Sequence, residues 1–114
     1  MVKKPYVPRR GDVIWINMSP HSGREQAGRR PAIVLSPEKY NNRVGLALVC
    51  PITSRIKGYP FEVMIPETTK IEGAILADHL RSVDWNSRET EFACALPEEI
   101  TNEVVSKALL LLKP

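Results

Sequence analysis

Ten prolines against six glycines punctuate the 114-residue chain, and they break its apolar residues into runs too short for long helices. Such spacing predicts strands joined by turns. Asp12–Met18 is rich in β-branched and aromatic residues and lies between Gly11 and Ser19-Pro20. Ala32–Leu35 follows Pro31 and stops at Ser36-Pro37, and Leu46–Cys50 is bounded by Gly45 and Pro51. Phe61, Val63 and Ile65 share one face of a run between Pro60 and Pro66. Gly73–Ala77 and Leu80–Val83 complete the set. Short strands this closely spaced imply a small, strongly bent antiparallel barrel or sandwich. Residues 1–114 read as a single domain, since this length is too small for two independent cores.

The end of the chain has a different period. Pro97-Glu98-Glu99 is a helix start, with proline in the first turn and acids at the positive end of the dipole. Ile100, Val104, Ala108 and Leu111 then recur at helical spacing, so a helix is predicted over 97–113. Its apolar face is wide enough to cover a second subunit. A shorter helical turn is expected at Ser36–Tyr40, with Ser36 as its N-cap. Trp15 and Trp85 read as barrel packing, and residues 1–9 as a flexible arm.

Composition narrows the function. Apolar residues reach 43% and charged residues 25%, as in ordinary globular proteins. The longest aliphatic run, Ala108–Leu112, falls far short of the ~20 residues of a membrane span. No apolar stretch follows the basic pair Lys3-Lys4, so no signal peptide is read and a cytoplasmic location is expected. Cys50 and Cys94 are too few for a disulfide framework, and their apolar neighbours predict buried free thiols. With only His21 and His79 as histidines, and no metal-ligand spacing, neither a metal nor another cofactor is expected.

The net charge of +3 is unevenly placed. Residues 1–30 carry seven cations and two anions, and the remainder nine cations and eleven anions, leaving +5 and −2. A basic first quarter supplies attraction for a polyanion, and equally a solvated terminus.

The segment His21–Pro31 is polar, holds two glycines and joins two strands over about eleven residues, a length at which loops tend to carry function. A second polar connection, Pro51–Pro60, mixes hydroxyls, cations and Tyr59, and a third cluster is Asp78–Ser82. A shared rim would gather Glu25, Arg30, Thr53, Arg55, Lys57, Asp78 and His79. Such a set suits metal-free RNA cleavage, in which the 2′-OH attacks the adjacent phosphodiester. The protein then helps deprotonate it, neutralises the phosphorane oxygens and protonates the leaving 5′-oxygen. An arginine fork suits the second task, and a carboxylate or histidine the first. A basic loop that binds nucleic acid without cutting it fits the same residues.

Gly11-Asp12-Val13-Ile14-Trp15, Gly23–Pro37 with its Gly-x-Glu-Gln-x-Gly-x-Arg-Pro pattern, Tyr40-Asn41-Asn42, Pro51-Ile52-Thr53, Lys57–Val63 and Ala77-Asp78 together resemble the MazF/PemK family of toxin endoribonucleases. The likeness runs in order from about Pro8 to Val83, whereas the C-terminal segment matches in character only. The resemblance implies an SH3-like or CcdB-like barrel with a C-terminal helix, working as a homodimer. It implies metal-independent, sequence-specific cleavage of single-stranded RNA that leaves 2′,3′-cyclic phosphate and 5′-hydroxyl ends. It further implies neutralisation by a MazE-like antitoxin whose acidic C-terminal tail covers the RNA groove. By the same resemblance Arg30 matches the catalytic arginine, Thr53 its partner hydroxyl and Glu25 the acidic loop residue, as a general base or as an orienter of Arg30. Gln26 and Lys57 fall where RNA contacts are expected. Asp78 matches an aspartate that is catalytic in some relatives, although the arginine accompanying it there is replaced here by Leu76. His21, Arg55, His79, Arg81 and Tyr59 complete the candidate RNA-binding set. The competing expectation is a non-catalytic binder on the same fold, either a CcdB-like gyrase inhibitor or an RNA-binding module.

Overall fold

The computed structural model describes residues 5–19 and 28–113. Among these the order is β1 (Asp12–Asn17), β2 (Arg29–Val34), α1 (Glu38–Val44), β3 (Leu46–Thr53), β4 (Glu62–Met64), β5 (Ala74–Leu76), β6 (Arg81–Asp84), β7 (Glu91–Ala95) and α2 (Glu98–Leu112). The sheet is antiparallel in the order β4-β5-β3-β2-β1-β7, with β6 also paired to β3. The mainly β architecture with a C-terminal helix is thus as the sequence predicts.

β3 organises the molecule. One edge pairs with β2 from Ala32↔Pro51 to Val34↔Val49. The other pairs first with β6, ending at Val49↔Arg81, and then with β5, beginning at Ile52↔Ile75. Pro51, the expected end of this strand, instead falls in the gap between those two pairings. On that edge the ladder is interrupted in any case, so a proline is tolerated.

Strand alternation divides the apolar side chains between two layers. Val13, Ile33, Cys50 and Ile52 enter one buried cluster, which α2 covers with Val104. Ile14, Ile16, Ala32, Val34 and Val49 enter the other, with Val83 and Trp85. Tyr6 and Val7 pack against this second cluster, and the Tyr6 hydroxyl donates to Asp12 Oδ2 at 2.5 Å. Of the expected arm over residues 1–9, Tyr6 and Val7 pack against the sheet, Pro5 and Arg9 are exposed, and residues 1–4 lie outside the described residues.

Two local expectations are corrected. Ser36 does not cap α1, which starts from Pro37 and has no side-chain cap. Its hydroxyl instead donates to Asn41 Oδ1 at 2.6 Å and accepts from the Leu48 N–H at 2.9 Å. Asn41 is fully buried, and its amide donates to Pro8 O at 2.8 Å and Ser36 O at 3.0 Å. One side chain thus ties the N-terminal segment, α1 and, through Ser36, β3. Asn41→Leu leaves those acceptors buried without partners and is expected to cost about 3 kcal/mol, read as a lowered urea midpoint at unchanged slope. An unchanged midpoint would show that the network adds nothing.

The second correction concerns the thiols. Of the two expected to be buried, Cys50 is and Cys94 is only partly covered. Cys94 lies on β7, a strand that the sequence does not announce. Ala93 and Cys94 are small or half-buried and Phe92 is 52% exposed, so β7 lacks a clear alternating signature. α2 runs from Glu98 to Leu112, with Pro97 and Lys113, the ends expected from sequence, as its caps, and Leu109–Leu112 at its end are all exposed.

Candidate active site

β3 ends at Thr53, the residue on which the site is built. Thr53 is only 6% exposed, and its Oγ1 accepts the Arg55 N–H at 3.1 Å. The hydroxyl proton is thereby left to donate to a second acceptor. Behind Thr53, β5 comes very close: a Cβ on Gly73 would stand 2.2 Å from the Thr53 carbonyl oxygen, and Gly73 has φ +125°. Glycine is required there both by space and by backbone conformation.

Thr53 opens onto a cleft of about 820 Å³ lined by Arg55, Lys57, Tyr59, Glu62, Leu76, Asp78 and His79. The structure therefore brings together six of the candidate residues: Thr53, Arg55, Lys57, Tyr59, Asp78 and His79. The Tyr59 hydroxyl donates to Asp78 Oδ1 at 2.7 Å, and His79 Nε2 lies 3.9 Å from the same oxygen. Burial, then the Asp78 carboxylate, hold the Tyr59 phenol well above its ordinary range. Tyr59 is accordingly a hydrogen-bond donor at neutral pH and no proton carrier.

Arg30 is half-buried on β2, opposite Ile16 of β1. The β2–β3 ladder stops at Ala32↔Pro51, two residues short of Arg30 on one strand and of Thr53 on the other. Arg30 borders a neighbouring hollow of about 350 Å³ with Trp15, Ser54, Lys70 and Glu72, and not the Thr53 cleft itself. The alternate residues Ile52 and Ser54 line that hollow, so the end of β3 separates the two depressions.

His21, Glu25 and Gln26 lie outside the described residues. The structure does describe how the ends of their connection are fixed. Arg81, expected near RNA, donates from β6 to Met18 O at 2.8 Å and does not line the cleft. Arg88 donates to Asn17 O and Ser19 O, and the Met18 N–H donates to Gly28 O. Sequence reasoning misses Arg88, because an arginine serving backbone carbonyls has no signature in sequence. It misses Glu62 for a related reason: in sequence this is simply the polar position between Phe61 and Val63.

Among the described residues no three His, Cys, Asp or Glu side chains converge as a metal-ligand set. No helix among them is long and apolar enough to cross a membrane.

Cys50 is fully buried on β3, and burial, with a smaller contribution from Asp78, pushes its thiol up to about 12. Below the ordinary value of 9.0 the folded and unfolded chains are both protonated, so this contribution to stability is fully present. Above it only the unfolded chain releases the proton, and stability falls by about 1.4 kcal/mol per pH unit as pH rises toward the folded value. Cys94, also raised by burial, adds to the slope. Stability measured from pH 9 to 10 should fall less steeply in Cys50→Ala, and an identical slope would contradict this assignment.

A bent antiparallel sheet with a C-terminal helix, bearing a hydroxyl and cations in one polar rim cleft, defines the class of protein. The chain belongs to the PemK-like, MazF-like toxin family of type II toxin–antitoxin systems, whose family profile matches residues 9–112. It is 47% identical over 96 residues to the endoribonuclease toxin MazF of Escherichia coli strain K12, covering 83% of this chain and 86% of that one. The crystal structure of MazF from Deinococcus radiodurans superposes with a TM-score of 0.93 at 49% identity, covering 96% of this chain and all of the other. A MazE–MazF structure from the same organism matches with a TM-score of 0.84 at 46% identity, over 95% and 97% of the two chains.

Proposed function

We propose that this chain is an endoribonuclease toxin that cuts single-stranded RNA at a short sequence, without a metal, by attack of the 2′-OH on the adjacent phosphodiester. The products are 2′,3′-cyclic phosphate and 5′-hydroxyl ends, and the consequence is arrested translation. The observation that carries this reading is the Thr53 cleft: a hydroxyl oriented by the Arg55 amide, Arg55 and Lys57 on the same wall, and Arg30 on the neighbouring strand. Arg30 stabilises charge on the phosphorane, because its guanidinium pairs two oxygens at once and is a poor proton donor. Thr53 donates to a phosphate oxygen, and Arg55 and Lys57 hold the strand. Glu25 orients Arg30 or accepts the 2′-OH proton, and His79, inside the cleft, is the alternative acid or base.

The acting unit is a homodimer in the cytoplasm, and the exposed Leu109–Leu112 of α2 support self-association. Its partner is a MazE-like antitoxin with an acidic tail, a reading supported by the likeness to MazE–MazF structures. Purified chain in excess EDTA should cut some members of a varied single-stranded RNA set at recurring positions. A folded protein that cuts none of them, while its expression breaks DNA and leaves RNA intact, would point to the gyrase-inhibitor alternative.

A further inference from the structure

Glu62 is out of place by charge. It lies on the wall of a cleft read as holding a polyanion, where a carboxylate facing the ligand would repel phosphate. Both its oxygens are occupied by backbone. The Lys57 N–H donates to Oε2 at 2.9 Å and the Gly58 N–H to Oε1 at 2.7 Å. The Glu62 N–H closes the same turn by donating to Tyr59 O at 3.1 Å, and Gly58 takes φ +79°. The turn is held from outside as well. Tyr59 reaches Asp78 across the cleft, Lys107 of α2 donates to Pro60 O, and the Arg55 amide is fixed by Thr53. Every backbone anchor of this connection thus leaves the charged ends of Arg55 and Lys57 for a ligand.

We propose that Glu62 is a positioning residue for RNA binding: by holding the Lys57 and Gly58 amides it fixes the turn that presents Lys57 and Arg55 to the phosphates of the bound strand. The proposal rests on the RNA reading above. It predicts a sign opposite to simple electrostatics. Removing a negative charge from the cleft would tighten RNA binding if Glu62 acted through its charge, but it weakens binding if Glu62 acts through the turn.

The test uses the full chain and an RNA oligomer that the wild type cuts, made 2′-deoxy at the cut position so that it binds without reacting. Amide hydrogen exchange of Lys57 and Gly58 is measured on the same proteins without RNA. Glu62→Ala is expected to lose protection at both amides and to raise the Kd for RNA about 3–10-fold, the cost of ordering one cationic side chain on binding. The slope of log affinity against log salt should shrink by about 0.7 for each phosphate that the variant no longer neutralises. Glu62→Gln, which keeps one acceptor oxygen, should fall between the two and serves if the alanine variant does not fold. Retained amide protection would overturn the proposal, as would lost protection with unchanged or tighter binding. Failure of the wild type to bind or cut any RNA is a different result, since it removes the RNA reading itself.

Discussion

Arg30→Ala is expected to slow RNA cleavage by about 10²–10³-fold while the chain stays folded, the usual effect of removing one preorganised donor from a developing oxyanion. Its position is the reason. Arg30 stands just beyond the end of the β2–β3 ladder, as Thr53 does on β3, and it is half-buried on the wall of a hollow that Ser54 also lines. The core layers formed by Val13, Ile14, Ile33 and Val34 do not depend on it, so stability should change little. Arg30→Lys retains the charge but not the planar fork, and should recover only part of the rate. Single-turnover cleavage at saturating RNA separates the chemical step from binding. Near-wild-type rates in Arg30→Ala would move the chemistry elsewhere, most directly to the Asp78–His79 pair.

Gly73→Ala should be the most damaging alanine substitution among the described glycines. The added methyl would stand 2.2 Å from the Thr53 carbonyl oxygen, and φ +125° is unfavourable for any residue with a Cβ. Neither Thr53 nor Gly73 can yield alone, because the adjacent Thr53↔Ala74 pairing joins β3 to β5 at that point. We expect a loss of about 2–4 kcal/mol in denaturant unfolding. Cleavage by the fraction that remains folded should fall too, since relief of the clash moves the backbone that carries Thr53. A variant destabilised by less than about 0.5 kcal/mol, inside the range of ordinary surface changes, would show that the strands are not so tightly apposed.

The legible parts of this chain are those governed by short-range pattern. The strand cores of β1 and β3 and the whole of α2 follow from β-branched runs, proline boundaries and helical spacing. Thr53, Arg55, Lys57, Tyr59, Asp78 and His79 read as loop chemistry in the sequence, and they do share one cleft. What escapes depends on partners distant in sequence. β7 exists because β1 offers it an edge, with a register shift between Val13 and Ile14. Ser36 looks like a helix cap until Asn41 and Leu48 arrive to claim its hydroxyl. Arg81 reads as loop chemistry in the sequence, where its bond to Met18 O, sixty-three residues earlier, has no signature. Tyr6 has no sequence signature for its bond to Asp12 or its packing on the second core layer. Glu62 carries no signature beyond being polar in an alternating strand, yet two backbone amides converge on it.

The central claim is that the Thr53 cleft and Arg30 act together in cleaving RNA through its own 2′-OH. The direct measurement is end mapping on one long transcript incubated with the purified chain in excess EDTA. Primer extension locates the cuts, and enzymatic labelling identifies the ends. Recurring stops at one short sequence are expected, with 5′-hydroxyl ends open to phosphorylation without prior phosphatase and cyclic phosphate on the other side. Cuts that appear only with added metal and leave 5′-phosphates would contradict that claim.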